Sequence, residues 1–63
     1  MLSDNIKKIR KKKGLSQDKL AKLADVTHTT LIKIESGANG NPTIKTLMKI
    51  ANALEVSIDE LLK

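Results

Sequence analysis

Four side chains between positions 28 and 33 have types and spacing suited to molecular recognition. On a helix turning about 100° per residue, Leu31 and Ile34 mark one side, and His28, Thr29, Ile32 and Lys33 fall on the other. Lys33 can donate to guanine O6 or N7, and Thr29 can hydrogen-bond or touch a thymine methyl. Ile32 offers only apolar contact, for which thymine methyl groups are the match. His28 both donates and accepts, so its target stays open. The alternative reading of this face is a solvated helix surface, with Ile32 as an exposed or interface residue.

A second set of residues suits phosphate. Gln17 opens the preceding helix, where backbone N–H groups and the helix dipole favour an anion, and its amide can donate to a phosphate oxygen. Ser16 and Thr27 stand where helices begin. Each can accept a hydrogen bond from an unpaired N–H of the first turn and add a phosphate contact. These positions predict two short helices, about 17–24 and 28–35. The turn between them places Asp25 in the left-handed conformation, which Asp tolerates. Val26 plugs the angle between the helices. Two helices joined in this way form a helix-turn-helix, whose second helix presents side chains to the DNA major groove.

The remaining elements hold this motif. A first helix is expected over Asp4–Lys12, capped by Ser3, with Ile6 and Ile9 inward and Gly14 ending it. In the second helix Leu20, Leu23 and Ala24 form the inner face, with Ala21 at its edge. Residues 36–43 (SGANGNPT) read as a loop. Thr43 can cap a fourth helix carrying Ile44, Leu47, Ile50, Ala51 and Leu54 on one face. Ser57 and Glu60 match a capping box opening a short fifth helix with Ile58, Leu61 and Leu62. No strand pattern is present. The expectation is an all-α fold, a compact five-helix arrangement forming one domain over residues 1–63. A short terminal helix rich in Ile and Leu cannot bury all of them in so small a core. The exposed parts of Ile44, Ile58, Leu61 and Leu62 are therefore the candidate contacts of a homodimer.

Composition narrows the function. There is no Cys and one His, so neither a disulfide nor a zinc site is expected, and no cofactor. No apolar run approaches a signal or membrane-spanning length, which points to the cytoplasm and away from membranes. The net charge is +5, and through Glu35 the basic residues outnumber the acidic by nine to four; after it they balance at three each. A basic surface beside a groove-sized helix suggests a polyanion. The chain has no Phe, Tyr or Trp, the residues on which single strands and most RNAs stack, so double-stranded DNA fits better. Lys7, Lys8, Lys11, Lys12 and Lys13 read as a solvated face from which one or two reach phosphates, none singled out. No nucleophile–base set, phosphate-cradling Gly motif or metal cluster supports an enzyme. A protein-interaction module remains the rival, though aromatic or Leu-rich anchors would suit it better than this polar helix face.

The set Leu15-Ser16-Gln17, Leu20-Ala21, Val26-Thr27, Ile34-Glu35-Ser36-Gly37, Asn41-Pro42 and the run from Leu47 to Val56 resembles the phage repressor and Cro-type (XRE-type) helix-turn-helix family. The resemblance covers Ile6 to Leu62. It implies a lambda-repressor-like five-helix fold. The expected function is a sequence-specific transcriptional regulator, a repressor acting as a homodimer on a palindromic operator. An antitoxin-type regulator is the close variant, and a toxin or effector-domain partner stays open. The resemblance also implies that Gln17 contacts phosphate and braces the start of the recognition helix. The 36–43 loop would grip the sugar-phosphate backbone through free N–H groups, with Ser36, Asn39, Asn41 and Thr43 as candidates. Arg10 and Glu35 match positions that form an ion pair. Glu35 lies at the edge of the core stripe, where a charge needs a partner and a bidentate Arg is the best available. The alternative is that Arg10 faces DNA with the other cations. The sequence departs from the family at Asp25, where Gly is usual, and at Ile32, where a small or polar residue is.

Overall fold

Short polar starts divide this chain into helices. The computed structural model describes residues 2–63. It contains α1 (Leu2–Lys12), α2 (Gln17–Ala24), α3 (His28–Glu35), α4 (Ile44–Leu54) and α5 (Ile58–Leu62), with no strand among the described residues. Four of the five helices begin with the same device. Ser16, Thr27, Thr43 and Ser57 each accept a hydrogen bond, at 3.0–3.2 Å, from the backbone N–H three residues on. Each bond satisfies one of the donors that a helix start leaves without a partner.

The helix ends are marked by left-handed residues. Gly14 (φ +73°) follows α1, Asp25 (φ +57°) follows α2 and Glu55 (φ +59°) follows α4. Asp25 is the turn residue of the helix-turn-helix, and Val26 behind it is half-buried against the core. Lys49 on α4 donates to the Asp25 carbonyl at 3.4 Å.

The start of α1 differs from the sequence expectation. Ser3 is not a cap, because the helix already includes Leu2. Leu2 packs against the core, and extending the helix by a half-turn is what brings it there.

The core is aliphatic throughout. Ile6, Leu20, Leu31, Ile34, Ile50, Leu54 and Leu61 are fully buried. α2 packs against α3 and α4, while α1 packs against α3 and α5. The inner face of α2 is Leu20, Ala21 and Ala24; Leu23, expected inside, is 54% exposed. α2 docks against α3 and α4 with Ala21 in the inner place and Leu23 turned out.

Two expectations about α4 and α5 also change. Ile44, assigned to the inner face of α4, sits in its first turn and is 62% exposed. Leu61, assigned to a dimer surface, is fully buried, because α5 lies against both α1 and α4 and directs Leu61 into the core. Asn5 of α1 fixes that placement by donating from Nδ2 to the carbonyls of Leu61 (2.8 Å) and Lys63 (2.9 Å). Among the described residues no helix is long and apolar enough to cross a membrane.

Candidate nucleic-acid interface

α3 is held by one side and free on the other. Leu31, Ile34 and Glu35 are buried, and His28, Thr29, Ile32 and Lys33 are all exposed. The four candidate base-reading residues therefore share an open surface. Ile32, at 42% exposure, has the size and position to make an apolar contact with a ligand.

The orientation of α3 rests on a buried ion pair. Arg10 Nε donates to Glu35 Oε2 at 2.7 Å and Arg10 Nη2 to Glu35 Oε1 at 3.1 Å, a bidentate arrangement. Arg10 Nη1 also donates to the Leu15 carbonyl at 2.7 Å, just before α2. Gln17 Nε2 donates to Glu35 Oε1 at 3.1 Å. Glu35 thus joins α1 and α2 to the end of α3, and no buried side-chain nitrogen or oxygen among the described residues lacks a partner. Arg10 is consumed by this pair and does not face outward with the lysines. The resemblance implies a brace from Gln17 to the start of the recognition helix; the brace runs to its last residue instead. An amide nitrogen has two hydrogens, and one N–H of Gln17 remains for a ligand.

These groups form the base of an open groove. Arg10 and Glu35 lie at its bottom, Lys7 and Lys11 of α1 on one side, and Gln17, Ile32 and Ser36 on the other. Composition and charge alone do not separate Lys7 and Lys11 from Lys8, Lys12 and Lys13. The wheel position next to Arg10 separates them from Lys8 and Lys12, and Lys13 lies past the end of the helix.

The candidate phosphate residues differ in what they have left to give. Ser16 is exposed, and its hydroxyl accepts from Lys19 N without donating to any described residue. Thr27 and Thr43 cap their helices and donate their hydroxyl protons to Thr30 Oγ1 (2.7 Å) and Thr46 Oγ1 (3.0 Å). Ser36 donates to the Lys33 carbonyl at 3.1 Å and accepts from Ala38 N at 3.3 Å. Asn39 is half-buried, and its Oδ1 accepts from Asn41 N at 3.2 Å.

The loop's backbone corrects one expectation. The resemblance implies free N–H groups here, but those of Ser36, Gly37, Ala38, Asn39 and Asn41 all donate within the chain. The loop first winds back onto the open carbonyls of α3, with Asn39 N donating to Lys33 O at 2.9 Å. Orphan carbonyls at a helix end draw nearby donors in this way. Gly40 and Thr43 are the loop residues whose N–H groups remain, Pro42 having none.

Residues 6–61 match the family model described as Helix-turn-helix (HTH_3). The chain belongs to the XRE-type helix-turn-helix family. This helix-turn-helix protein is 43% identical over 63 residues to the uncharacterized HTH-type transcriptional regulator YqaE of Bacillus subtilis, covering 100% of the chain and 53% of YqaE. It is 40% identical over 62 residues to the HTH-type transcriptional regulator SinR of Bacillus subtilis, covering 98% of the chain and 56% of SinR. The chain thus spans about half the length of these curated relatives. Its structure superimposes on that of SinR, the master regulator for biofilm formation, in complex with DNA, with a TM-score of 0.96, 40% identity and full coverage of both chains. The family and these relatives are transcriptional regulators, not enzymes. Among the described residues, no group of His, Asp and Glu is arranged to hold a metal ion.

Proposed function

We propose that this chain reads double-stranded DNA in a sequence-specific way, as the DNA-binding part of a transcriptional repressor acting in the cytoplasm. The observation that carries this reading is the outer side of α3. His28, Thr29, Ile32 and Lys33 stand exposed on a helix whose other side is fixed by Leu31, Ile34 and the Arg10–Glu35 pair. A groove-reading helix needs that combination of free side chains and a rigid seat. The fold shared with DNA-bound SinR supports it.

In this reading α3 enters the major groove, Lys33 and Thr29 meet base edges, Ile32 meets a thymine methyl, and His28 contacts a base at the helix start. Gln17 and Ser16 grip a phosphate through the N–H of the amide and the free hydroxyl. Asn39 and Asn41 contribute further contacts along the same backbone through their side-chain amides and Thr43 through its main-chain N–H, while the hydroxyls of Thr27 and Ser36 reach it by exchanging their bonds to Thr30 and Lys33. Phosphate contacts set register and affinity, and α3 sets sequence.

We further propose a homodimer on a palindromic operator. Ile44, Leu62 and the accessible part of Ile58 are its contacts, Leu61 having been withdrawn into the core. Half-sites then lie about 34 Å apart, one turn of the duplex. Selection of bound sequences from a random duplex library tests both parts. A palindromic consensus with that spacing is expected. An asymmetric single half-site overturns the dimer, and no enrichment of any sequence overturns specific DNA reading.

A further inference from the structure

We infer that the groove between α1 and α3 is a phosphate-binding track in which Lys7 and Lys11, and not their neighbours Lys8 and Lys12, hold the DNA backbone. This rests on the DNA-reading proposal and assigns residues that it leaves unassigned.

On α1, Lys7 and Lys11 are four residues apart and fall on one edge, next to the buried Arg10. Lys8 and Lys12 form an equivalent pair one step further round, facing away from α3. Both pairs carry the same charge on the same helix, yet only Lys7 and Lys11 line the groove. Lys7 is half-buried there, as expected of a lysine that lays its stem against the protein and keeps its charged end at the surface.

The electrostatics of the groove favour an anion. It holds three cations, Lys7, Arg10 and Lys11, and one carboxylate, Glu35, a net charge of +2. Glu35 alone would repel a phosphate, but its oxygens are occupied by Arg10 and Gln17. The bidentate partner cancels the negative charge where it sits. The two lysines above remain unopposed, and neither forms an ion pair among the described residues.

The shape fits a continuous strand. Ile32 of the reading face lines the same groove as Lys7 and Lys11, and so does Gln17. A strand whose bases meet α3 carries its phosphates past Gln17 and into the space between the lysines. A free acidic polypeptide shares the charge but lacks that continuity with α3.

The test compares two double variants that remove equal charge from the same helix: Lys7→Ala with Lys11→Ala, and Lys8→Ala with Lys12→Ala. Affinity for the duplex recovered by library selection is measured across a salt series, with circular dichroism melts as a folding control. Every phosphate that a lysine no longer neutralises makes the log–log salt dependence shallower by about 0.9, so the Lys7/Lys11 variant is shallower by about 1.8. Between 50 and 200 mM salt, wild type then weakens roughly 12-fold more than this variant does. The Lys8/Lys12 variant keeps the wild-type slope. If the Lys7/Lys11 variant melts early, Lys7→Gln with Lys11→Gln replaces it, removing charge while keeping the stems. Equal slopes for the two double variants overturn the track while leaving DNA reading in place. Competition by polyglutamate as strong as that by duplex also overturns it. A wild-type protein that binds no duplex at low salt overturns the DNA reading itself.

Discussion

Removing Arg10 is expected to come close to unfolding the protein. The Arg10 guanidinium donates three hydrogen bonds, two to Glu35 and one to the Leu15 carbonyl. Arg10→Ala leaves Glu35, at 2% exposure, as a buried carboxylate with only Gln17 as a donor. Breaking a buried pair by deleting one partner costs about 3–5 kcal/mol, most of it the uncompensated charge. A chain of this length has roughly 3–9 kcal/mol of total stability, at ~0.05–0.15 kcal/mol per residue. The loss is therefore a large share of the whole, and Tm should fall by about 12–40 °C, at ~4–8 °C per kcal/mol for so small a protein. Lys12→Ala, on the exposed side of the same helix, should stay within about 0.5 kcal/mol of wild type. The double change Arg10→Met with Glu35→Leu removes both charges and should recover most of the loss, since Gln17 is only half-buried and can turn to water. Urea denaturation followed by far-ultraviolet circular dichroism is the assay, because a chain without Trp or Tyr has no intrinsic fluorescence to follow. Equal midpoints for Arg10→Ala and Lys12→Ala would refute a stabilising role for the pair, as would a double variant no better than the single.

Lys33→Ala should cost about 1–3 kcal/mol on the best operator and relax preference at one base pair, measured against a panel of single-base operator mutants. Gln17→Ala should weaken good and poor operators alike, with a stability loss of only about 1 kcal/mol from the bond to Glu35. The reverse pattern in that panel would exchange their roles. Leu62→Asp should weaken self-association without unfolding the chain, since Leu62 is exposed; sedimentation at several concentrations checks it. Glu55→Gly should raise stability by roughly 0.5–1 kcal/mol, because a left-handed backbone at φ +59° strains a Glu and not a Gly, and a lower melting temperature would contradict this.

Helix starts are legible in the sequence because they are local chemistry. Ser16, Thr27, Thr43 and Ser57 announce α2 to α5 by residue type, and Gly14 and Asp25 mark ends where the backbone turns left-handed. Ser3 misleads because a hydroxyl one residue inside a helix looks the same in sequence as one at its cap. Which apolar residue faces in is not local. Leu20, Leu23 and Ala24 fit a helical stripe as well as Leu20, Ala21 and Ala24 do, and the docking of α2 against α3 and α4 decides for the smaller set. Leu61 and Leu62 are adjacent and chemically identical, so the burial of one and exposure of the other follows from the tilt of α5, set by Asn5 from the far end of the chain. The outer side of α3 is legible from Leu31 and Ile34 alone. The loop misleads because three of its N–H groups find acceptors on α3 and two find side-chain oxygens of Ser36 and Asn39. The pair of Arg10 with Glu35 comes from family resemblance, for 25 positions separate the two.

The repeated hydroxyl caps have a kinetic consequence. α2 and α3 are eight residues long, too short to persist alone in water. With each start fixed by its own first turn, the search that remains is for docking partners, not for helix boundaries. Chains dominated by such near-neighbour contacts fold in microseconds to milliseconds. The bond between Arg10 and Glu35, like those from Asn5 to Leu61 and Lys63, is a long-range commitment in that scheme and needs its helices already docked. Its loss should therefore appear as faster unfolding with nearly unchanged folding, so the seat of α3 governs how long the protein stays folded more than how soon it gets there.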